Sequence, residues 1–297
     1  MTTQKRLGFI GLGVMGEPIC RNILKAGLGS MQVLDLNKEP VQRLVADGAS
    51  EGAGVRDLAA TSDILFLSLP GGKEVEAILT GEDGILSSAQ EGLIVVDLST
   101  CPVGLTRDLH EAAKAKGVEF IDAPVARTRQ AAIDGTLSIM VGATNDQFAV
   151  IKPFLEPAAS EITHCGEIGT GQVMKVMNNM VLFQTVVALA EAMVTAEAAG
   201  VSKDLLLSTL SQGSADSFAL RNHGMKAMVP GIFPLNAFAT DYAIKDITYA
   251  LELAADGGVE TPSAELAKSM LERSSAAGYG AEYFPALIKV VEQSRLS

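Results

Sequence analysis

Three stretches of the 297-residue chain carry residues whose types and spacing can do chemistry. The first, "GFIGLGVMGEP", places glycines at 11, 13 and 16 between an apolar run and a helical pattern. This G-x-G-x-x-G suits a nucleotide pyrophosphate: Gly11 for a tight turn, Gly13 for close approach of phosphate, Gly16 for close helix–sheet packing. Leu12, Val14 and Met15 complete the turn, and the following helix points free N–H groups at the anion. Asp35 lies nineteen positions after Gly16 and ends the next apolar run, with Leu36 beside it. An acid there bonds both adenosine ribose hydroxyls and repels a 2′-phosphate, which favours NAD over NADP. Lys38 has two readings, a lysine reaching a phosphate or a solvated residue at a helix start. The second stretch, "GTGQVMKVMNN", places Lys175 and Asn179 one helical turn apart, with Asn178 adjacent. Such polar groups in an apolar helix need partners. They read either as a proton-transferring lysine with substrate-fixing amides, or as a lysine snorkelling at a helix end with asparagines against a loop. The third, "DAPVARTRQAAIDGT", sets Arg127 and Arg129 among small and apolar residues in a chain of net charge −12. Arg127 offers a planar fork for two anionic oxygens, with Thr128 beside it; the alternative is a clamp on the other domain or a second subunit. Arg129 reads as a solvated or cofactor-flanking residue.

The elements that must hold these groups follow from hydropathy. Residues 6–11, 31–36, 64–69, 93–98, 118–122, 138–142 and 161–165 form short apolar runs, as expected of a parallel sheet buried on both faces. Helical patterns such as 16–27 and 103–116 lie between them, and this alternation implies a doubly wound α/β domain. After "CGEIGTG" the strands stop, and 172–199 reads as one long helix ended by Gly200. The expected division is a dinucleotide-binding domain over 1–166 and an all-helical substrate and dimerisation domain over 167–297. In that second part "DYAIKDITYALELA" gathers Asp241, Lys245 and Asp246; Asp241 and Lys245 have the spacing of a surface ion pair. The acidic charge argues against nucleic acid or an anionic membrane as partner. The uncharged run 176–190 reads as too short for a membrane span, and the glycine-broken start does not read as a secretory signal. Cys20, Cys101 and Cys165 are odd in number and dispersed, which suits a reducing cytoplasm. His110, His164 and His223 form no ligand pair, and no metal is expected.

Together these residues are similar to the β-hydroxyacid dehydrogenase family, the relatives of 3-hydroxyisobutyrate dehydrogenase and tartronate semialdehyde reductase. The resemblance covers nearly the whole chain and rests on "GFIGLGVMG", "SLPGG", "VDLSTCPVG", "DAPV…GTLSIMVG", "GTGQVMKVMNN" and "IKD", in family order. It implies a Rossmann-like doubly wound N-terminal domain and an all-α C-terminal domain joined by a long helix, assembled as a dimer or tetramer through that helix. It implies that Lys175 is the proton donor and that Asn179 orients the substrate. Leu69 and Pro70 of the "SLP" loop and Thr100 of the "ST" turn would border the cofactor, and Lys245 would close over its nicotinamide end. Most members carry D-x-P-V-S-G-G where this chain has Ala126, Arg127 and Thr128, and their Ser-Gly-Gly turn binds the substrate carboxylate. The turn is similar instead to the P-V-G-R-T of sulfolactaldehyde reductases, whose arginine meets a sulfonate. That branch has a serine where this chain has Leu182, so the match is partial. The expected activity is NAD(H)-dependent interconversion of a small anionic 3-hydroxy acid, or an ω-hydroxy acid or sulfonate, and its semialdehyde, with Lys175 as general acid and base. The alternatives are a non-catalytic dinucleotide-binding assembly protein and an imine reductase of the same architecture. Proteins of those kinds lack or replace the helix lysine.

Overall fold

All seven apolar runs are strands. The computed structural model describes residues 4–235 and 237–294. The strands are β1 (Lys5–Ile10), β2 (Gly29–Leu34), β3 (Ser50–Glu51), β4 (Ile64–Leu67), β5 (Ile94–Asp97), β6 (Glu119–Asp122), β7 (Val125–Ala126), β8 (Leu137–Gly142) and β9 (Ala159–Gly166). The two-residue strands β3 and β7 were not expected. The sheet order is β3-β2-β1-β4-β5-β6-β8-β7, with β9 on β8. The chain divides into two compact units, one ending at Lys175 and one beginning at Val176.

In the first unit the helices are α1 (Gly16–Lys25), α2 (Lys38–Ala46), α3 (Val55–Thr61), α4 (Gly72–Thr80), α5 (Val103–Lys114), α6 (Arg129–Ile133) and α7 (Asn145–Leu155). Successive residues of β4 enter two cores. Ile64 and Phe66 join Phe9, Ile19 and Val96, while Leu65 and Leu67 join Leu58, Leu79 and Val95. A strand apolar at every position is the signature of a sheet covered on both faces. The expectation of a parallel sheet needs one correction. β1 to β6 pair parallel, but β8 runs antiparallel to both β6 and β7. A parallel return needs a crossover of a dozen or more residues. Residues 127–136 contain only the five-residue α6, so the chain turns back sharply, and Arg127 sits on that turn.

The second unit is helical: most of α8 (Thr170–Ala198), then α9 (Lys203–Leu210), a π-helical segment Leu220–Met228, α10 (Thr240–Asp256), α11 (Pro262–Ser274) and α12 (Ile288–Gln293). Its core gathers Phe183, Val186, Ala190 and Met193 of α8 around Leu207, Ile247, Leu271 and Phe284. Run 176–190, expected to be too short for a membrane, belongs to a 29-residue helix that is long and apolar enough to cross one. Its buried residues pack in the helical core instead, which accounts for an apolar composition all round.

Candidate active site

In the first unit the glycine turn follows β1. Gly11 has a φ of 93°, and a Cβ there would lie 2.2 Å from the carbonyl oxygen of Ser68. A Cβ on Gly16 would lie 2.0 Å from the carbonyl oxygen of Gly11, so helix and turn close onto each other. A Cβ on Gly13 would meet nothing within 4 Å. The turn is thus closed at its ends and open in the middle, as a cradle for pyrophosphate requires. Leu12 is buried, Val14 exposed and Met15 half-buried; Met15 precedes α1 without a side-chain cap, while the first-turn N–H groups of Glu17 and Ile19 are taken by the Gly13 and Met15 carbonyls and Pro18 has none. Asp35 stands next to this turn: its Oδ2 accepts from Leu12 N–H at 2.5 Å and its Oδ1 from Asn37 N–H at 2.7 Å. Leu36 is fully exposed. Lys38 is paired with Glu51 at 2.6 Å. The half-buried Leu69 donates its N–H to Ser99 Oγ at 2.9 Å; Pro70 is exposed and Thr100 half-buried.

The start of α8 is fixed by a buried acid. Asp122, the last residue of β6, accepts from Gly169 N–H at 2.7 Å and Gln172 N–H at 2.8 Å. Gly142 and Gly171 make room for it, because a Cβ on Gly142 would lie 2.3 Å from its Oδ1 and one on Gly171 2.7 Å from its Oδ2. Burial pushes the Asp122 carboxyl up to about 7, with Asp97 adding to the rise and the two N–H groups opposing it. Lys175 comes one turn later and is 8% exposed. Asp122→Asn is expected to cost about 1–3 kcal/mol, because the new NH2 faces an N–H that loses its acceptor. The midpoint of urea unfolding at mildly acidic pH, below the titration of the folded carboxyl so that no buried charge enters the comparison, measures this; an unchanged midpoint would show the anchor to be dispensable.

Arg127 is the one non-glycine residue of positive φ among those described, at 87°. It is exposed, and its Nη1 donates to the Thr136 carbonyl at 2.5 Å and to Ser160 Oγ at 2.7 Å. Both partners lie in its own unit. Its Nε and Nη2 make no hydrogen bond among the described residues, so one edge of the fork is anchored and the other is available. Thr128 caps α6, its Oγ1 accepting from Ala131 N–H at 3.3 Å. Arg129 is exposed at the first position of that helix.

In the second unit Asn179 is buried, and its Nδ2 donates to Asp246 Oδ2 at 2.6 Å. Its Oδ1 accepts from Nδ2 of the exposed Asn178 at 3.0 Å. Lys245 Nζ lies 2.9 Å from Asp246 Oδ1 and 5.0 Å from the centre of the Tyr249 ring. Among the described residues that oxygen has no hydrogen bond, so the contact with Lys245 is a charge pair set off the hydrogen-bonding direction. The expected pairing of Lys245 with Asp241 is replaced by this one; Asp241 accepts from Ser275 Oγ at 2.6 Å instead. Sequence reading named Asp246 without seeing that it orients Asn179, and it gave Asp122 and Gln172 no part. Among the described residues no cluster of three metal-ligating side chains forms.

A doubly wound sheet with this glycine turn defines a dinucleotide-binding protein. A family model described as the NAD binding domain of 6-phosphogluconate dehydrogenase matches residues 6–166, and one described as NAD-binding of NADP-dependent 3-hydroxyisobutyrate dehydrogenase matches 169–291. The chain is 36% identical over 293 residues to the 2-(hydroxymethyl)glutarate dehydrogenase of Eubacterium barkeri, covering 99% of this chain and 97% of that one. It is 32% identical over 289 residues to the 3-sulfolactaldehyde reductase of Escherichia coli, covering 97% and 96%. The solved structure of Mycobacterium tuberculosis 3-hydroxyisobutyrate dehydrogenase with L-serine superposes with a TM-score of 0.88 at 30% identity, over 97% of this chain and 99% of that one. The chain belongs to the 3-hydroxyisobutyrate dehydrogenase-like β-hydroxyacid dehydrogenases, an NAD(P)-dependent family of oxidoreductases.

Proposed function

We propose that the protein is a cytoplasmic NAD(H)-dependent oxidoreductase that interconverts a small anionic 3-hydroxy acid, or an ω-hydroxy acid or sulfonate, and its semialdehyde. The observation that carries this reading is Asn179, buried in α8 and held by Asp246, one helical turn after Lys175 in the sequence. When bound, the nicotinamide supplies or takes up the hydride. Lys175 gives its proton to the carbonyl oxygen of the semialdehyde, and in the reverse direction takes it from the hydroxyl. Asn179 holds that oxygen, with Asp246 and Asn178 fixing which way its amide faces. The free edge of Arg127 receives the acid group of the substrate, and Thr128 flanks it. Gly11 to Gly16, Leu69, Pro70 and Thr100 hold the cofactor, with Lys245 over its nicotinamide end. We place a homodimer or homotetramer on α8, whose Met174 and Val181 are exposed.

Rates with NADH across three- and four-carbon semialdehydes bearing carboxylate, sulfonate or phosphonate test the reading. Turnover of an anionic semialdehyde well above its uncharged analogue is expected. No turnover with any of them would favour the assembly-protein or imine-reductase alternatives.

Cofactor choice rests on Asp35. Its carboxylate is held beside the glycine turn by two N–H groups, and the nearby cation Lys38 is engaged by Glu51. NAD is expected to exceed NADP by at least roughly 10-fold in kcat/KM, from about 1.4 kcal/mol of acid–phosphate repulsion. Equal use of the two cofactors in steady-state kinetics would contradict it.

A further inference from the structure

Gln172 lies fully buried in the first turn of α8, and its carboxamide is given to two backbone groups far away in sequence. Nε2 donates to the Ser99 carbonyl at 2.8 Å, and Oε1 accepts from the Cys101 N–H at 3.1 Å. The amide therefore grips the chain on both sides of Thr100. Ser99 carries the linkage further: its hydroxyl receives the Leu69 N–H at 2.9 Å, and its own N–H is held by Asp97 at 2.9 Å. One side chain thus joins the turns at Leu69 and Thr100 to the helix whose Lys175 lies three residues on, on the same face. Capping the helix does not call for this bridge, because Asp122 already takes the N–H groups of Gly169 and Gln172.

We propose that Gln172 is a positioning residue, setting the turn of α8 that presents Lys175 against the Thr100 turn and so fixing the proton donor relative to the cofactor that this turn borders. The proposal rests on the acid–base reading of Lys175. Among side chains of this length only an amide, or a protonated carboxylic acid, carries a donor and an acceptor side by side. Leucine fills the space and leaves a buried N–H and a buried carbonyl unpaired. A neutral glutamic acid restores both bonds, its O–H donating to the Ser99 carbonyl; an ionised one keeps an acceptor for the Cys101 N–H but sets its other acceptor against the Ser99 carbonyl. The charged groups around such a carboxyl are Asp122 at the end of β6, Asp97 at the end of β5, Lys175 on α8 and Arg107 of α5, whose Nε would lie 3.1 Å from a Cβ on Gly169.

The test measures kcat and KM across the neutral pH range for wild type, Gln172→Leu and Gln172→Glu, using the fastest semialdehyde of the series above. NADH fluorescence titration and melting curves accompany it. Gln172→Leu is expected to lose roughly 10- to 100-fold in kcat, as sub-ångström to ångström misplacement of a reacting group does, with KM and NADH affinity within about threefold. Gln172→Glu is expected to regain kcat relative to wild type as pH falls and its carboxyl protonates. A bond that serves folding alone would lower the melting temperature and leave kcat unchanged, which overturns the proposal. If the leucine variant does not fold, the glutamate variant decides: a ratio to wild type that stays constant with pH overturns it. Lys175→Ala, made in parallel, separates the two failures. Turnover retained there removes the acid–base reading and this proposal with it. Turnover lost there but retained in Gln172→Leu removes the positioning role alone.

Discussion

Lys175→Ala is expected to lower kcat by roughly 10²–10⁴, the usual contribution of general acid–base catalysis, and to leave NADH affinity nearly intact. The proposed cofactor cradle is built from Gly11, Gly13 and Gly16, in the turn from β1 into α1, and from Asp35 just after β2. Lys175 belongs to a different element, the second turn of α8, anchored through Asp122 and Gln172. Removing its side chain takes the proposed proton donor away and leaves that cradle untouched. Lys175→Arg separates proton transfer from charge. A guanidinium keeps the positive charge but does not release its proton in the working range, so this variant is expected to be as slow as the alanine one. Steady-state rates with the best semialdehyde, set beside fluorescence titration of NADH, give both quantities. Turnover of the alanine variant within about threefold of wild type would reject the assignment.

The parts of the molecule that the sequence discloses are those written in local pattern. β4 reads as a strand because all four of its residues are apolar, and both faces of it are in fact buried. The glycine turn and Asp35 are legible because their spacing is set by one strand, one helix and the next strand. The direction of β8 is not legible, since an apolar run reads the same either way; the short connection at 127–136 decides it. Two residues such as Ser50–Glu51 or Val125–Ala126 are too few to show a period. The polar network is the least legible part. Asp122 meets Gln172 across 50 positions, and Asn179 meets Asp246 across 67. Hydrogen bonds over such distances leave no periodic trace. What signal there is lies in chemistry: an acid ending a buried strand and an amide in the first turn of an apolar helix both need partners. Arg127 was legible as an oddity of composition, but its backbone was not.

That backbone makes the largest substrate effect testable without ambiguity. Arg127 holds a φ of 87°, a conformation that glycine adopts freely and that costs other residues about 1–2 kcal/mol. It occupies the turn where most relatives, on the resemblance noted above, carry glycine. A side chain kept at such a position has to contribute something the turn alone does not. Its Nη1 is tied to Thr136 and Ser160, which orients the guanidinium and leaves Nε and Nη2 for two oxygens of an anion. Arg127→Ala is expected to raise the substrate KM roughly 10- to 150-fold, from the loss of about 1.5–3 kcal/mol of charge-assisted bonding. Arg127→Lys is expected to recover only part of this, because an ammonium cannot present two parallel donors. Arg127→Gly is expected to match the alanine variant in KM but to be more stable than it by about 1 kcal/mol, a rise of about 2–4 °C in melting temperature for a unit of this size. Both variants lose the bonds to Thr136 and Ser160, so the difference between them isolates the backbone. Steady-state kinetics and melting curves on the same preparations measure the two effects. A KM unchanged in every variant, with stability following the order glycine above alanine, would confine Arg127 to the turn and leave the acid group of the substrate without its proposed partner.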